Sequence, residues 1–337
     1  MSETLDEWGK RWNKKTRTEV VFDPRDEELD PGVIPLEIPA VDQLLGGGFP
    51  RGLTTILVGE PSSGKTLLSQ LVIASAQRQG GTAVFFDIER SYHERWFRLT
   101  GVDTSPEKLR VVRPRNLEQA FDMVCDILEK VRPDVVVVDS IPALVPKAML
   151  TAEMDKSDFR GVSARKVTEG IAKVTQYNRS TALIFINQLR VSMGVKFGNP
   201  ESMPGGKALR FYSSLLVRVR RGKWLTDAEV DADELDFTDV DEKDAKRIGF
   251  MLKLRTEKSR LAPPFQECEL RFTFDGAVDW VGSLVHLALT RGVIGQPSTG
   301  YFTLPGEEAK VHGRIALEER IREDGELRAK LVGLVKS

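Results

Sequence analysis

The sequence predicts an α/β fold: a doubly wound, mostly parallel sheet, preceded by a short helical segment and followed by a small C-terminal α/β lobe. Three observations carry the prediction. The stretch GEPSSGKT, Gly59 to Thr66, follows the apolar run Leu53–Val58 and opens a helical segment at Leu67, the strand–loop–helix setting of a phosphate cradle. Apolar runs then alternate with helical patterns, as parallel sheets require. Finally, GEPSSGKT, Asp87 with Glu89, Asp139-Ser140 and Gln188 all fall where predicted strands end. Ligands of doubly wound sheets sit beyond those carboxyl ends.

Taken in order, residues 1 to about 16 place Leu5, Trp8 and Trp12 at helical spacing, a short amphipathic helix that cannot bury its stripe alone. Glu19–Phe22 reads as a short strand, and FDPRDEELDPGVIP as a linker ending near Pro35. Gly46-Gly47-Gly48 turns the chain into the cradle strand, and Gly80-Gly81 ends the helix after it. Strands are expected at Thr82–Phe86, Val135–Val138 and Thr181–Ile186, with helices at Leu117–Lys130 and Ser163–Tyr177. Leu215–Val219, Phe250–Leu254 and Glu269–Phe274 read as further strands. Alternation sets Arg218 with Arg220, and Lys253 with Arg255, on common faces. Between them, residues 227–244 form an acidic insertion, expected as a solvated loop. Helical patterns at Val281–Leu289 and Ile315–Val335 make the final lobe. The expected division is an N-terminal segment 1–35, a core 36–275 and a small domain 276–337.

Composition excludes several classes. With 337 residues the chain can bury a sizeable core, and a net charge of −1 leaves any nucleic-acid binding to local patches. Cys125 and Cys268 stand far apart without a partnering His pattern, which points to buried thiols in a reducing compartment rather than a zinc site. His93, His286 and His312 have no partner at metal-ligand spacing, and no Ser/His/Asp arrangement is evident. No apolar stretch approaches ~20 residues and no apolar signal core opens the chain, so no membrane partner and a cytoplasmic location are expected.

Within the cradle, Gly59, Glu60, Pro61, Ser62, Ser63 and Gly64 let the backbone wrap an anion at the helix start, with Leu67 just beyond. Lys65 would reach the β- and γ-phosphates, and the Thr66 hydroxyl would bind Mg²⁺. Asp139 is the candidate to complete that metal shell, beside Ser140; the alternative is a strand-end Asp that caps the next helix. Glu89 is the candidate to orient or deprotonate the attacking water, or else pairs with Arg90 or Arg95 at the surface. Gln188 either touches the γ-phosphate or belongs to a buried amide network. The long stretch after it carries Arg190, Lys196, Lys207 and Arg210 around Phe197, which suits single-stranded nucleic acid as well as it suits a plain loop. Met149–Gly161, with Lys156, Phe159 and Arg160, is a second such loop.

Together these residues resemble the RecA recombinase family. GEPSSGKT, FFDIE, VVVVDSIPALVPKA, LIFINQLR, FGNPES, GGKALRFY and KSRLAPPF follow the family's order and approximate spacing from about Pro35 onward, and DWVGSLVHLALTRGVI resembles its small C-terminal domain. The resemblance implies a RecA-like P-loop ATPase core that takes ATP and Mg²⁺, forms a helical homo-oligomeric filament on single-stranded DNA, and pairs it with double-stranded DNA. It assigns phosphate and metal roles to Lys65 and Thr66, the catalytic carboxylate to Glu89, the metal-side aspartate to Asp139 and the switch to Gln188. Trp96 stands where the family stacks a Tyr on adenine, and Lys258 and Arg260 where two lysines reach the neighbouring protomer's ATP. Arg165, Met193, Gly205, Gly206 and Lys207 match DNA-contact positions, and Arg220, Lys253 and Arg255 the patch for incoming duplex. A repressor-type co-protease partner is a further implied possibility. The chain departs from the pattern at Ala172, where a DNA-contacting arginine is expected, and in its long acidic insertion. It departs again in the ending RAKLVGLVKS, which lacks an acidic extension. Two rival readings remain: a ring helicase on the same fold, against which the GGKALRFY segment argues, and a nucleoprotein scaffold that promotes a partner's self-cleavage and needs ATP only to assemble.

Overall fold

The computed structural model describes residues 3–17, 20–26, 29–151, 161–191, 201–204, 206–226 and 246–336. Its centre is an eight-stranded sheet. In chain order the strands are β1 (Thr54–Gly59), β2 (Ala83–Asp87), β3 (Leu109–Val112), β4 (Val135–Asp139), β5 (Ala182–Gln188), β6 (Leu215–Thr226), β7 (Arg247–Ser259) and β8 (Glu267–Thr273). They lie side by side in the order β8-β7-β6-β1-β5-β4-β2-β3. From β6 to β3 every neighbouring pair is parallel; β7 and β8 add an antiparallel edge.

The parallel strands are apolar without interruption because both faces are covered. Alternate residues divide between two cores. Leu57, Phe85, Val135, Val137 and Ile184 face the helix Lys65–Arg78 through Leu68, Val72 and Ile73. Ile56, Val84, Phe86, Val136 and Phe185 face the helices Leu117–Lys130 and Val162–Tyr177. Each of these side chains is fully or almost fully buried, a gain of roughly 1.5–3 kcal/mol apiece. The helix Leu117–Lys130 starts where Asn116 accepts the Gln119 N–H, an ordinary N-cap.

Register brings the polar strand ends level. Gly59 lies beside Gln188, and Asp87 beside Asp139. The sheet therefore converges the glycine-rich loop, the carboxylates and the amide on one edge.

Several elements differ from the sequence expectation. Val20–Phe22 is not a strand: the Asn13 side chain accepts the N–H groups of Val20 and Val21, and Val21 packs over Gly9 of the helix Leu5–Thr16. β3 had no predicted counterpart. The hairpin β6–β7 runs well beyond the apolar runs, to Thr226 and from Arg247; along this extension Trp224 packs on Phe250 and Phe274 at the margin of the core, with the Arg221 and Arg247 guanidiniums over its ring. GGKALRFY, expected within a loop, includes the helix Gly206–Tyr212. The last helical pattern is two helices, Arg314–Glu323 and Gly325–Lys336, broken at Asp324, whose carboxylate accepts Glu326 N–H and Leu327 N–H. The helix Trp280–Thr290 buries Leu284, Val285 and Ala288 in the same core as the sheet. Three short strands, Gly295–Ser298, Tyr301–Thr303 and Lys310–His312, form an antiparallel sheet beside it.

Candidate nucleotide and DNA site

The cradle follows directly from β1. Ser62 (φ 57°) and Gly64 (φ 96°) both take left-handed backbone, turning the loop on itself before the helix begins at Lys65. Glycine is required twice. At Gly64 the φ of 96° would strain any side chain, and a Cβ on Gly59 would strike the Val219 carbonyl of the neighbouring strand. Lys65 is buried, and its ammonium donates to the carbonyls of Glu60 (2.6 Å) and Gly59 (3.2 Å). Burial pushes its pKa down, while Asp139, Glu89 and Glu60 oppose that shift.

Opposite the helix start, the Thr66 hydroxyl donates to Asp139 Oδ2 at 2.6 Å. Asp139 is buried at the end of β4, and its carboxylate is turned to Thr66 rather than capping the turn that follows. Its carboxyl is pushed up to about 6, first by burial, with the Thr66 hydroxyl and Lys65 pulling it down and the charges of Glu89 and Asp87 adding to the rise. The Asp139 carbonyl accepts Ile88 N–H and Glu89 N–H, which brings the turn after β2 over the strand end. Glu89 does not pair with Arg90 or Arg95. Its Oε1 accepts the Ser140 hydroxyl and, at 2.6 Å, Gln188 Nε2. Lys65, Thr66, Glu89, Asp139 and Gln188 line one cavity of about 370 Å³ together with Ile186 and Phe250.

Gln188 is thus bonded to Glu89 and leads directly into the segment with the DNA-candidate residues. Arg190 lies in a two-residue ladder with Ser202, and Asn187 Nδ2 donates to the Pro204 carbonyl. Gly206 and Lys207 begin the helix Gly206–Tyr212. Met193, Lys196, Phe197 and Gly205 lie outside the described residues, as do Lys156, Phe159, Arg160 and the acidic insertion. Arg165 is exposed on the helix Val162–Tyr177 and pairs with Glu169.

Arg220 faces Lys253, and Arg218 faces Arg255, across β6 and β7. Lys253 and Arg255 pair with Glu269 and Glu267, all half-exposed, while Arg218 is buried against Glu257. Neither Trp96 nor the Lys258–Arg260 pair is among the lining of this chain's cavity. Trp96 is 45% exposed on the helix Glu94–Leu99. Lys258 is level with Leu216 of β6, and its ammonium donates to the carbonyls of Arg210 and Phe211.

Sequence reasoning missed two residues here. Phe250 reaches the cavity through its packing on Trp224 and Phe272, a long-range contact without a local signal. Arg113 grips Asp87 across two strand ends. Among the described residues no group of three His, Cys, Asp or Glu side chains forms a metal cluster, and no helix is long and apolar enough to cross a membrane.

A glycine cradle at the carboxyl edge of a doubly wound sheet, faced by a carboxylate and a neighbouring amide, defines a P-loop ATPase. The RecA N-terminal domain family model matches residues 25–279. The RecA protein of Thermus aquaticus is 37% identical over 303 residues, covering 89% of this chain and 83% of its own length. That of Aquifex aeolicus is 36% identical over 304 residues, 89% of this chain and 82% of its own. That of Thermus thermophilus is 37% identical over 305 residues, 89% and 84%. The chain belongs to the RecA family. It is accordingly a DNA-dependent ATPase and recombinase, which forms a filament on single-stranded DNA and catalyses homologous pairing and strand exchange.

Proposed function

We propose that the carboxyl edge of the sheet is the hydrolytic site, and that the Gln188–Glu89 hydrogen bond is its connection to DNA. Glu89 orients the water that attacks the γ-phosphate and takes its proton as the new P–O bond forms and ADP leaves. The backbone of residues 59–64 and the Lys65 ammonium hold the phosphates. The Thr66 hydroxyl and Asp139 carboxylate, already 2.6 Å apart and both oxygen donors, suit Mg²⁺, which would neutralise phosphate charge when bound. Ser140 steadies Glu89 from the other side.

DNA contacts fall to the segments on either side: Arg165, then Arg190, Met193, Lys196, Phe197, Gly205, Gly206 and Lys207 for the single strand. Arg220, Lys253 and Arg255 hold the duplex. Trp96 stacks on adenine, and Lys258 and Arg260 act on the ATP of an adjacent copy; their separation from this chain's own cavity supports that reading. In the same reading the chain divides into 1–35, 36–275 and 276–337, works in the cytoplasm, and offers its filament to a repressor-type co-protease partner.

The observation that carries the reading is the single bond from Gln188 Nε2 to Glu89 Oε1 at 2.6 Å. A polar chain from the DNA segment to the hydrolytic carboxylate lets occupancy at one end bias the other. Glu89→Gln tests it: turnover should be lost while ATP-dependent DNA binding and pairing survive. Unchanged turnover would remove Glu89 from this role.

A further inference from the structure

The turn that carries Glu89 is tied down at both ends. At its start, Ile88 N–H and Glu89 N–H donate to the Asp139 carbonyl at 2.8 and 3.2 Å. At its far end, Asp87 Oδ1 accepts Ser91 N–H (2.7 Å) and Tyr92 N–H (3.2 Å). Arg90 lies between them at φ 57°, left-handed backbone that is uncommon for a residue other than glycine. The Tyr92 ring is then anchored on Phe97, with centroids 4.7 Å apart.

Asp87 can hold those two N–H groups only if its buried charge is matched. Its side chain has no exposure, and a carboxylate in such a place needs a partner. The partner is Arg113, one residue beyond β3, which donates to Asp87 Oδ2 through Nε (2.9 Å) and Nη2 (2.7 Å). Register makes the meeting unavoidable: Phe86 lies beside Val112, so Asp87 and Arg113 occupy the next rung. The guanidinium fork takes one carboxylate oxygen and leaves the other for the turn. Asp87 and Arg113 are not part of the cavity lining, so the pair stands behind the site rather than in it.

We infer that Arg113 and Asp87 are a positioning pair for hydrolysis: the guanidinium fixes the carboxylate, the carboxylate fixes the turn, and the turn aims Glu89. This rests on Glu89 being the residue that works on the attacking water. An ion pair that merely secured the sheet edge would leave Oδ1 to solvent or to any neighbour. Here it closes the one turn whose side chain meets Ser140 and Gln188. Loss of Arg113 would leave a buried carboxylate without its counter-charge, drawn toward water, which weakens its hold on Ser91 and Tyr92. Displacing a reacting group by about 1 Å can cost up to ~100-fold in rate without touching ground-state binding.

The test uses the full chain with single-stranded DNA and compares Arg113→Ala, Arg113→Lys and Glu89→Gln with the unaltered protein. Three quantities are read: kcat and KM for ATP, the Kd of a fluorescent ATP analogue, and Tm. Arg113→Ala should lower kcat at least about tenfold while the Kd stays within about twofold, assayed well below its Tm. Arg113→Lys keeps the charge without the fork and should fall between the two. If Arg113→Ala fails to fold, Arg113→Gln, which keeps a donor, takes its place with the same expectation. A kcat within twofold of the unaltered protein overturns the inference, as does a parallel loss of Kd, Tm and kcat. Full turnover by Glu89→Gln would overturn the reading of Glu89 itself; a dead Glu89→Gln beside a fully active Arg113→Ala would overturn only the positioning role.

Discussion

Replacing Asp139 by asparagine should stabilise the nucleotide-free protein while destroying its activity. Asp139 is buried, and its carboxyl is pushed up to about 6 from 3.8 chiefly by that burial. A carboxyl raised in the folded state contributes stability that is full below the ordinary value and is lost as pH rises through the folded one. A shift of about two units corresponds to ~3 kcal/mol missing at pH 8. The substituted amide would still accept the Thr66 hydroxyl through its oxygen, without burying a charge. At about 0.7 kcal/mol per degree for a chain of this length, Asp139→Asn should raise Tm by roughly 4 °C at pH 8. The gain should shrink by about half at pH 5, where the folded carboxyl is protonated and the unfolded one is still mostly ionised. Calorimetry without nucleotide or Mg²⁺ reads both values, and ATPase rates on the same samples should fall to background. A variant no more stable than the unaltered protein at pH 8 would refute the claim that this carboxylate is kept for function at the expense of stability.

Gln188→Ala deletes a hydrogen bond to a carboxylate near the surface, worth ~1.5 kcal/mol, so DNA stimulation of hydrolysis should drop about tenfold while DNA-free turnover changes little; titration with single-stranded DNA checks it. Glu318→Ala breaks the buried junction in which Glu318 meets Arg271 (3.0 Å) and Arg314 (2.8 Å). Because both arginines are partly exposed and rehydrate, the cost should be about 2 kcal/mol, a Tm loss of about 3 °C by calorimetry, with kcat unaffected. The double substitution Lys253→Ala/Arg255→Ala should weaken duplex binding to the filament uniformly across sequences and lower the salt slope by about 2, read from anisotropy at several salt concentrations.

What was legible in the sequence was local. GEPSSGKT can be read because its glycines, lysine and threonine are contiguous and the strand before it is an unbroken apolar run. Val135–Val138 ending in Asp139 is readable for the same reason, and both faces of that strand are indeed buried. The edge strand Leu109–Val112 has a single neighbour and two exposed residues, so its pattern carried little periodicity. Asp87 and Arg113 stand 26 residues apart, and only the β2–β3 register joins them. Phe250 follows the same logic: it reads as one apolar residue of a strand, and becomes part of the cavity beside residues 61–67 only when β7 lies beside β6, and β6 beside β1. The break at Asp324 was visible as the Asp324-Gly325 pair, a turn signal that the apolar residues on either side outweighed.

The most direct measurement is the ATP hydrolysis rate with and without single-stranded DNA, beside Lys65→Ala, with negative-stain imaging of the same samples. Strong stimulation by DNA, helical filaments in the stimulated sample and loss of both in Lys65→Ala is the outcome expected of a cradle coupled to DNA through Gln188 and Glu89. Hydrolysis indifferent to DNA, or closed rings that never extend along it, would contradict that coupling.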